Sequence, residues 1–220
     1  MKKRIGVLLS GRGSNFEALA ESVASGRIPS AEIAVVISNR EGAPGIERAN
    51  ARGIRTRVIP SKGLEREVYD RQVAAVLDEH EVELICLAGY MRLLSPFFVA
   101  KFPNRILNIH PSLLPSFPGL DSPGQALKAG VKISGATVHF VIPETDAGPI
   151  VMQGAVAVCG DDTPDKLAAR ILEIEHRIYP DALRLLASGK IRLDGDICRL
   201  EGGDGSTDVL ISPAATPKGA

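Results

Sequence analysis

The chain has 220 residues, 45% of them hydrophobic and 24% charged, enough to bury the core of one large domain or two small ones and too apolar for a disordered chain. Its 26 Lys plus Arg balance 26 Asp plus Glu, which argues against a large nucleic-acid partner and leaves room for a local basic pocket around a small phosphate. No apolar run approaches the ~20 residues that span a bilayer, and the basic start Met1-Lys2-Lys3-Arg4 leads into a short strand instead of a signal-peptide core. Cys86, Cys159 and Cys198 are widely spaced, so neither a disulfide framework nor a zinc knuckle is expected, and the cytoplasm is the expected compartment.

In chain order, the first half alternates β-rich runs with helical periodicity. Arg4 to Leu9 reads as a strand, Ser14 to Ser25 as a helix stopped by Gly26, and Glu32 to Ser38 as the next strand. Pro44 to Arg52 is helical, with proline at an allowed first-turn position and Gly53 at its end. Arg55 to Ile59 is a strand, Glu65 to Glu79 a helix, and Leu84 to Leu87 a fully apolar strand placed near the sheet centre. A short helix from Ser95 to Lys101 precedes the strand Arg105 to His110, and Pro111 to Pro123 is a proline-rich loop inside the same domain. Strands separated by helices imply right-handed crossovers and a parallel sheet covered on both faces.

The second half changes character. Ser134 to Val141 and Ile150 to Val158 are β runs whose connection is too short for a crossover helix, which predicts an antiparallel pair. Thr163 caps a helix opened by Pro164 and running to about Ser188, with a kink expected at Pro180. Ile191 to Leu200 reads as a hairpin around Asp194-Gly195, and from Glu201 onward the composition predicts a mobile tail. The expected fold is a single doubly wound α/β domain over residues 1–200, with an antiparallel extension in its C-terminal half.

Ser10-Gly11-Arg12-Gly13-Ser14-Asn15 follows the first strand directly and opens the first helix. Two glycines allow a tight turn, and free N–H groups at a helix start attract an anion, so a phosphate monoester fits. The segment lacks the Gly-Lys-Ser/Thr of a P-loop and the third glycine of a dinucleotide fingerprint. Alone, it is equally well an ordinary turn with Ser14 as a helix cap.

The strand ending Asn108-Ile109-His110-Pro111 puts Asn108 and His110 on one face, at the carboxyl end where open α/β sheets bind ligands. An amide beside an imidazole can hold a developing oxyanion while the imidazole manages a proton. The competing reading is a strand-end histidine bonded to a neighbouring carbonyl. Asp146 lies in the loop between the two later strands, where it is either a solvated turn residue or a carboxylate that favours the imidazolium form of His110.

The remaining histidines weigh less. His80 reads as solvated at a helix end, His139 as a supporting or structural strand residue, and His176 as a surface or packing residue. No His-x-x-x-His or Cys-x-x-Cys spacing exists, which predicts no metal, and no Gly-x-Ser-x-Gly elbow suggests a hydrolase.

Together, Ser10 to Asn15, Leu87-Ala88-Gly89-Tyr90-Met91-Arg92-Leu93-Leu94, Asn108 to Pro115, and His139-Phe140-Val141 followed by Asp146-Ala147-Gly148-Pro149 resemble the folate-dependent phosphoribosylglycinamide formyltransferases from Arg4 to about Leu200. The resemblance implies that the amine of phosphoribosylglycinamide attacks the formyl carbon of the co-substrate 10-formyltetrahydrofolate. It implies that Asn108 bonds the oxyanion, that imidazolium His110 stabilises it and helps move a proton, and that Asp146 supports the charge on His110 and positions water. It also places the phosphate on Gly13, Ser14 and Asn15 and the ribose on Glu175. The folate pocket falls on Met91, Arg92, Leu93 and Leu94 and on the loop Ile142, Pro143, Glu144, Thr145 and Asp146, with Arg66 and Arg92 for polar groups at the pterin or glutamate end. The implied partners are small molecules, with no nucleic acid and no membrane, and the pattern sets no oligomeric state.

Two departures stand out. Ala147 replaces the first glycine of the usual Asp-Gly-Gly-Pro, and Asp121-Ser122-Pro123 stands where a Thr-His or Ala-His pair is common. Three alternatives share the fold: a methionyl-tRNA formyltransferase, expected to need a further C-terminal domain and a basic surplus; a formyltetrahydrofolate deformylase, expected to carry an N-terminal domain for which the start at Arg4 leaves no room; and a non-catalytic phosphate-binding module.

Overall fold

The computed structural model describes residues 2–201 and Ser212. The tail expected from Glu201 onward therefore lies, apart from Glu201 and Ser212, outside the described residues. The elements run β1 (Lys3–Leu9), α1 (Ser14–Ala24), β2 (Ala31–Ser38), α2 (Pro44–Ala51), β3 (Thr56–Val58), α3 (Arg66–Glu79), β4 (Leu84–Leu87) and α4 (Pro96–Lys101). They continue β5 (Ile106–His110), α5 (Ser122–Ala129), β6 (Ile133–Phe140), β7 (Ile150–Ala157), α6 (Pro164–Ala187), β8 (Ile191–Asp194) and β9 (Ile197–Leu200).

The main sheet has the order β3-β2-β1-β4-β5-β6-β7, and β8 and β9 form a separate hairpin. Strands β1 to β5 pair in parallel, whereas β5–β6 and β6–β7 are antiparallel. Strand order reverses between β1 and β4, so the crevice of a doubly wound sheet opens at their carboxyl ends. The continuous apolar runs of β1, β2 and β4 follow from burial on both faces. On one face, Phe16 and Leu19 of α1, Ala126 of α5 and Leu167, Ile171, Tyr179 and Leu183 of α6 form the core. On the other, Tyr69, Val73 and Leu77 of α3 pack with Phe98 and Phe102 of α4. The Tyr179 hydroxyl is shared between the carbonyls of Leu87 and Leu107, at 3.0 and 3.1 Å, tying α6 across β4 and β5 just below the crevice.

Sequence and structure differ at α5. Ser122-Pro123-Gly124 reads as loop chemistry, yet Asp121, at a left-handed φ of 54°, accepts a hydrogen bond from the Gly124 N–H and Pro123 occupies the first helical turn. A proline and a glycine that punctuate the chain elsewhere here form a capped helix start. His80 is a second correction: it is 7% exposed at the end of α3, not solvated, and its carbonyl accepts from the Arg4 side chain. Helix α6 continues through Pro180 to Ala187. No described helix is long and apolar enough to cross a membrane.

Candidate active site

Two clusters of polar side chains meet at the crevice. The first is the turn between β1 and α1. Gly13 is the N-cap of α1 at φ 76°, and no side chain caps the helix, so Ser14 is its first residue and not the cap. The first N–H groups of α1 are left free to meet an anion. A Cβ on Gly13 would lie 2.7 Å from the Gly45 Cα, and the Gly45 N–H donates to the Gly11 carbonyl, so only glycine lets α2 brace this turn. A cleft of about 280 Å³ opens here, with Gly11, Gly13, Ser14, Asn15 and Arg40 among its walls.

The Asn15 side chain has a partner of its own. Its amide donates to Glu175 Oε2 at 2.7 Å, reaching from α1 to α6. Glu175 is 6% exposed. Burial pushes its carboxyl above the ordinary value, and the Asn15 hydrogen bond opposes that push. Asn15 therefore offers a phosphate its backbone N–H, while its side chain holds the Glu175 carboxyl group in place. Ser10, which sequence reasoning passed over, donates to Asn39 and accepts from the Met91 N–H at 2.7 Å. Its hydroxyl thus joins the phosphate turn to the segment Met91–Leu94.

The second cluster sits at the end of β5. In the β5–β6 register Asn108 lies opposite His139, and its Nδ2 is 3.2 Å from His139 Nε2. His139 Nδ1 is 2.8 Å from the Phe140 carbonyl, which can only accept, so the ring proton is on Nδ1 and Nε2 receives the Asn108 N–H. Burial holds the His139 pKa below the ordinary histidine value, which keeps this neutral form. Asn108 is thereby oriented by one N–H, and its other N–H remains available. Sequence reasoning left His139 without an assigned part; only the antiparallel register shows that it aims Asn108.

His110, 5% exposed, presents Nδ1 to Asp146 Oδ2 at 3.4 Å. Asp146 sits at φ 54°, accepts the Gly119 N–H at 2.8 Å, and places its other oxygen 3.8 Å from His139 Nε2. The structure therefore brings Asn108, His110 and Asp146 together, as the sequence reading required. It also resolves the Ala147 departure, because the left-handed residue of this loop is Asp146 and not Ala147. Gly148 is the indispensable glycine: a Cβ there would lie 1.9 Å from the Phe140 carbonyl oxygen.

Of the remaining expected residues, Met91 and Arg92 line a larger depression. Met91 and Leu93 are 58% and 55% exposed, in the segment that follows β4, whose Leu87 pairs with Asn108. Arg92 stacks on Tyr69 at 4.5 Å, and its Nε is buried without a partner. It belongs to a depression of about 670 Å³ that also carries Arg40 and Lys62. Ile142 is half-buried, whereas Pro143, Glu144 and Thr145 are exposed. Arg66, exposed at the head of α3, stands apart from Asn108, His110 and Asp146, and its charge acts on Asp70. Among the described residues no group of His, Cys, Asp and Glu side chains is arranged to hold a metal ion.

The profile of a family described as formyl transferase matches residues 3–183. The chain belongs to the formyl transferase family. A curated phosphoribosylglycinamide formyltransferase from Escherichia coli strain K12 is 40% identical over 197 residues, covering 89% of this chain and 92% of that protein. A trifunctional purine biosynthetic protein adenosine-3 from Gallus gallus is 49% identical over 202 residues, covering 90% of this chain; the chain spans about a fifth of that protein, 20% of its length. Among solved structures, glycinamide ribonucleotide transformylase 1 from Symbiobacterium toebii superposes with a TM-score of 0.88 at 48% identity, covering 90% of this chain and 94% of that one.

Proposed function

We propose that this formyl transferase moves the formyl group of 10-formyltetrahydrofolate to the amine of 5′-phosphoribosylglycinamide, giving phosphoribosyl-N-formylglycinamide and tetrahydrofolate. The observation that carries this reading is the joining of Asn108, His110 and Asp146, with an uncapped helix start whose N–H groups are free for a phosphate. The nucleotide phosphate meets the N–H groups of Gly13, Ser14 and Asn15, and its ribose meets Glu175. The folate lies along Met91–Leu94 and Ile142–Asp146, with its charged end toward Arg92 and, further out, Arg66.

In the reaction the substrate amine nitrogen bonds to the formyl carbon, and the carbonyl electron pair moves onto oxygen. The free N–H of Asn108 and the imidazolium of His110 stabilise that oxyanion, and Asp146 stabilises the imidazolium. As the oxyanion collapses, the bond from the formyl carbon to the folate nitrogen breaks. That nitrogen takes a proton from the His110–Asp146 pair, directly or through a water, and the proton shed by the attacking amine restores the pair. We place the enzyme in the cytoplasm, in keeping with free Cys86, Cys159 and Cys198.

The deciding assay follows the absorbance of a 10-formyl-folate with and without phosphoribosylglycinamide. Release of deformylated folate only when the nucleotide is present is the expected result. Release without the nucleotide makes water the acceptor, and no release in either case removes the catalytic assignment of Asn108, His110 and Asp146.

A further inference from the structure

His110 is held from two sides, and only one of them belongs to the chemistry above. Its Nδ1 looks toward Asp146. Its Nε2 looks the other way, 3.0 Å from the Phe117 carbonyl and 3.1 Å from the Ser122 hydroxyl. Ser122 is 1% exposed, in the first turn of α5, and its hydroxyl oxygen is also 3.4 Å from the Gly119 carbonyl. A carbonyl cannot donate, so the Phe117 contact requires Nε2 to carry a proton. With Nε2–H donating, Ser122 accepts from the ring and can turn its own hydrogen only toward the Gly119 carbonyl. Every group on this side then has a defined donor or acceptor part.

We propose that Ser122 is a positioning residue that, together with the Phe117 carbonyl, anchors Nε2 of His110, so that Nδ1 stays on Asp146 and is the nitrogen that gives up and regains the proton in catalysis. The local sequence supports such a lock. Asp121 adopts a left-handed φ of 54° and caps Gly124, and Pro123 stiffens the next residue, so the Ser122 hydroxyl is fixed by backbone geometry. The Gly119 N–H that bonds Asp146 and the Gly119 carbonyl that faces Ser122 belong to one residue. The single turn from Phe117 to Ser122 therefore supports both the carboxylate and the far side of the imidazole. A flip of the ring about its Cβ–Cγ bond would put the carbon Cδ2 where Nδ1 faces Asp146; the two partners on Nε2 oppose that flip.

The kinetic part of the proposal rests on the formyl-transfer reading, so the test has a part that does not. In the resting wild-type protein, ¹⁵N NMR of the His110 ring, assigned against His110→Asn, is expected to show a protonated Nε2. An Nε2 that carries no proton overturns the proposal whatever the reaction turns out to be. In Ser122→Ala the Nε2 signal is expected to shift and broaden, because the ring loses one of its two anchors. The kcat is expected to fall about tenfold, as for loss of one hydrogen bond to a charged group, with KM for both substrates within about twofold. Ser122→Thr, which keeps the hydroxyl, is expected to restore both readouts, whereas Ser122→Val is not. An alanine variant with wild-type kcat and an unchanged ring signal overturns the proposal. So does a loss of kcat that Thr fails to rescue, because that pattern is what a packing role produces. If the wild-type chain shows no formyl transfer, that reading fails, and the NMR result still decides the part played by Ser122.

Discussion

Replacing Asp146 with Asn tests the proposed His110–Asp146 pair with little change of shape. Asparagine can still accept the Gly119 N–H, which is 2.8 Å from Oδ2 in the native loop, so the turn stays braced. The negative charge 3.4 Å from His110 Nδ1 is lost. At that distance and an effective dielectric constant of about 20, a unit charge pair is worth about 5 kcal/mol. Spreading of both charges over several atoms, and the dipole that asparagine retains, reduce the loss to about half, close to 2.5 kcal/mol. The kcat of Asp146→Asn should therefore fall about 10²-fold. The nucleotide KM should stay within about twofold, because Gly13, Ser14 and Glu175 are untouched and the lost interaction is one made in the transition state. Steady-state formyl transfer, with each substrate varied in turn, reads both numbers. A kcat within threefold of wild type would refute the argument that the carboxylate supports the imidazolium.

Four further substitutions probe other parts of the site. Burial raises the Glu175 pKa, so the folded state resists its ionisation; that cost is absent below about pH 4.5, where the unfolded carboxyl is also protonated, and grows as pH rises through the folded value. Glu175→Gln should therefore melt above wild type at pH 7, by roughly 2–4 °C per kcal/mol released, and match it near pH 4; equal melting temperatures at both pH values would contradict the buried-carboxylate argument. Gly148→Ala should displace the Asp146 loop and lower kcat, since its Cβ would lie 1.9 Å from the Phe140 carbonyl oxygen, whereas Ala147→Gly should leave kcat unchanged and stability within about 1 kcal/mol. Gly13→Ala should raise the nucleotide KM by at least tenfold and leave the folate KM alone, because the new methyl meets Gly45 2.7 Å away and spoils the turn at the helix start; an unchanged nucleotide KM would move the phosphate elsewhere.

Much of this site is legible in the linear sequence because it depends on local rules. The apolar runs and their spacing place every strand of the main sheet to within two residues. Strand alternation already sets Asn108 and His110 on one face, and the glycines after β1 already mark a tight turn into α1. What failed locally failed where two rules compete. Pro123 and Gly124 punctuate most chains, yet behind Asp121 they begin a helix, because one aspartate side chain caps the Gly124 N–H.

The rest depends on pairings distant in sequence. That Asp146 reaches His110 is decided by the close passage of Gly148 against Phe140 and by the Gly119 N–H, contacts between segments that share no sequence pattern. His139 aims Asn108 only because β6 pairs antiparallel with β5 in a register that sets the two side by side. Asn15 bonds Glu175 across 160 residues because α1 and α6 pack on the same face of the sheet. Residue types and local spacing determine which groups are able to do the chemistry. The tertiary structure decides which of them meet, because hydrogen bonds across the sheet have no counterpart in periodicity along the chain.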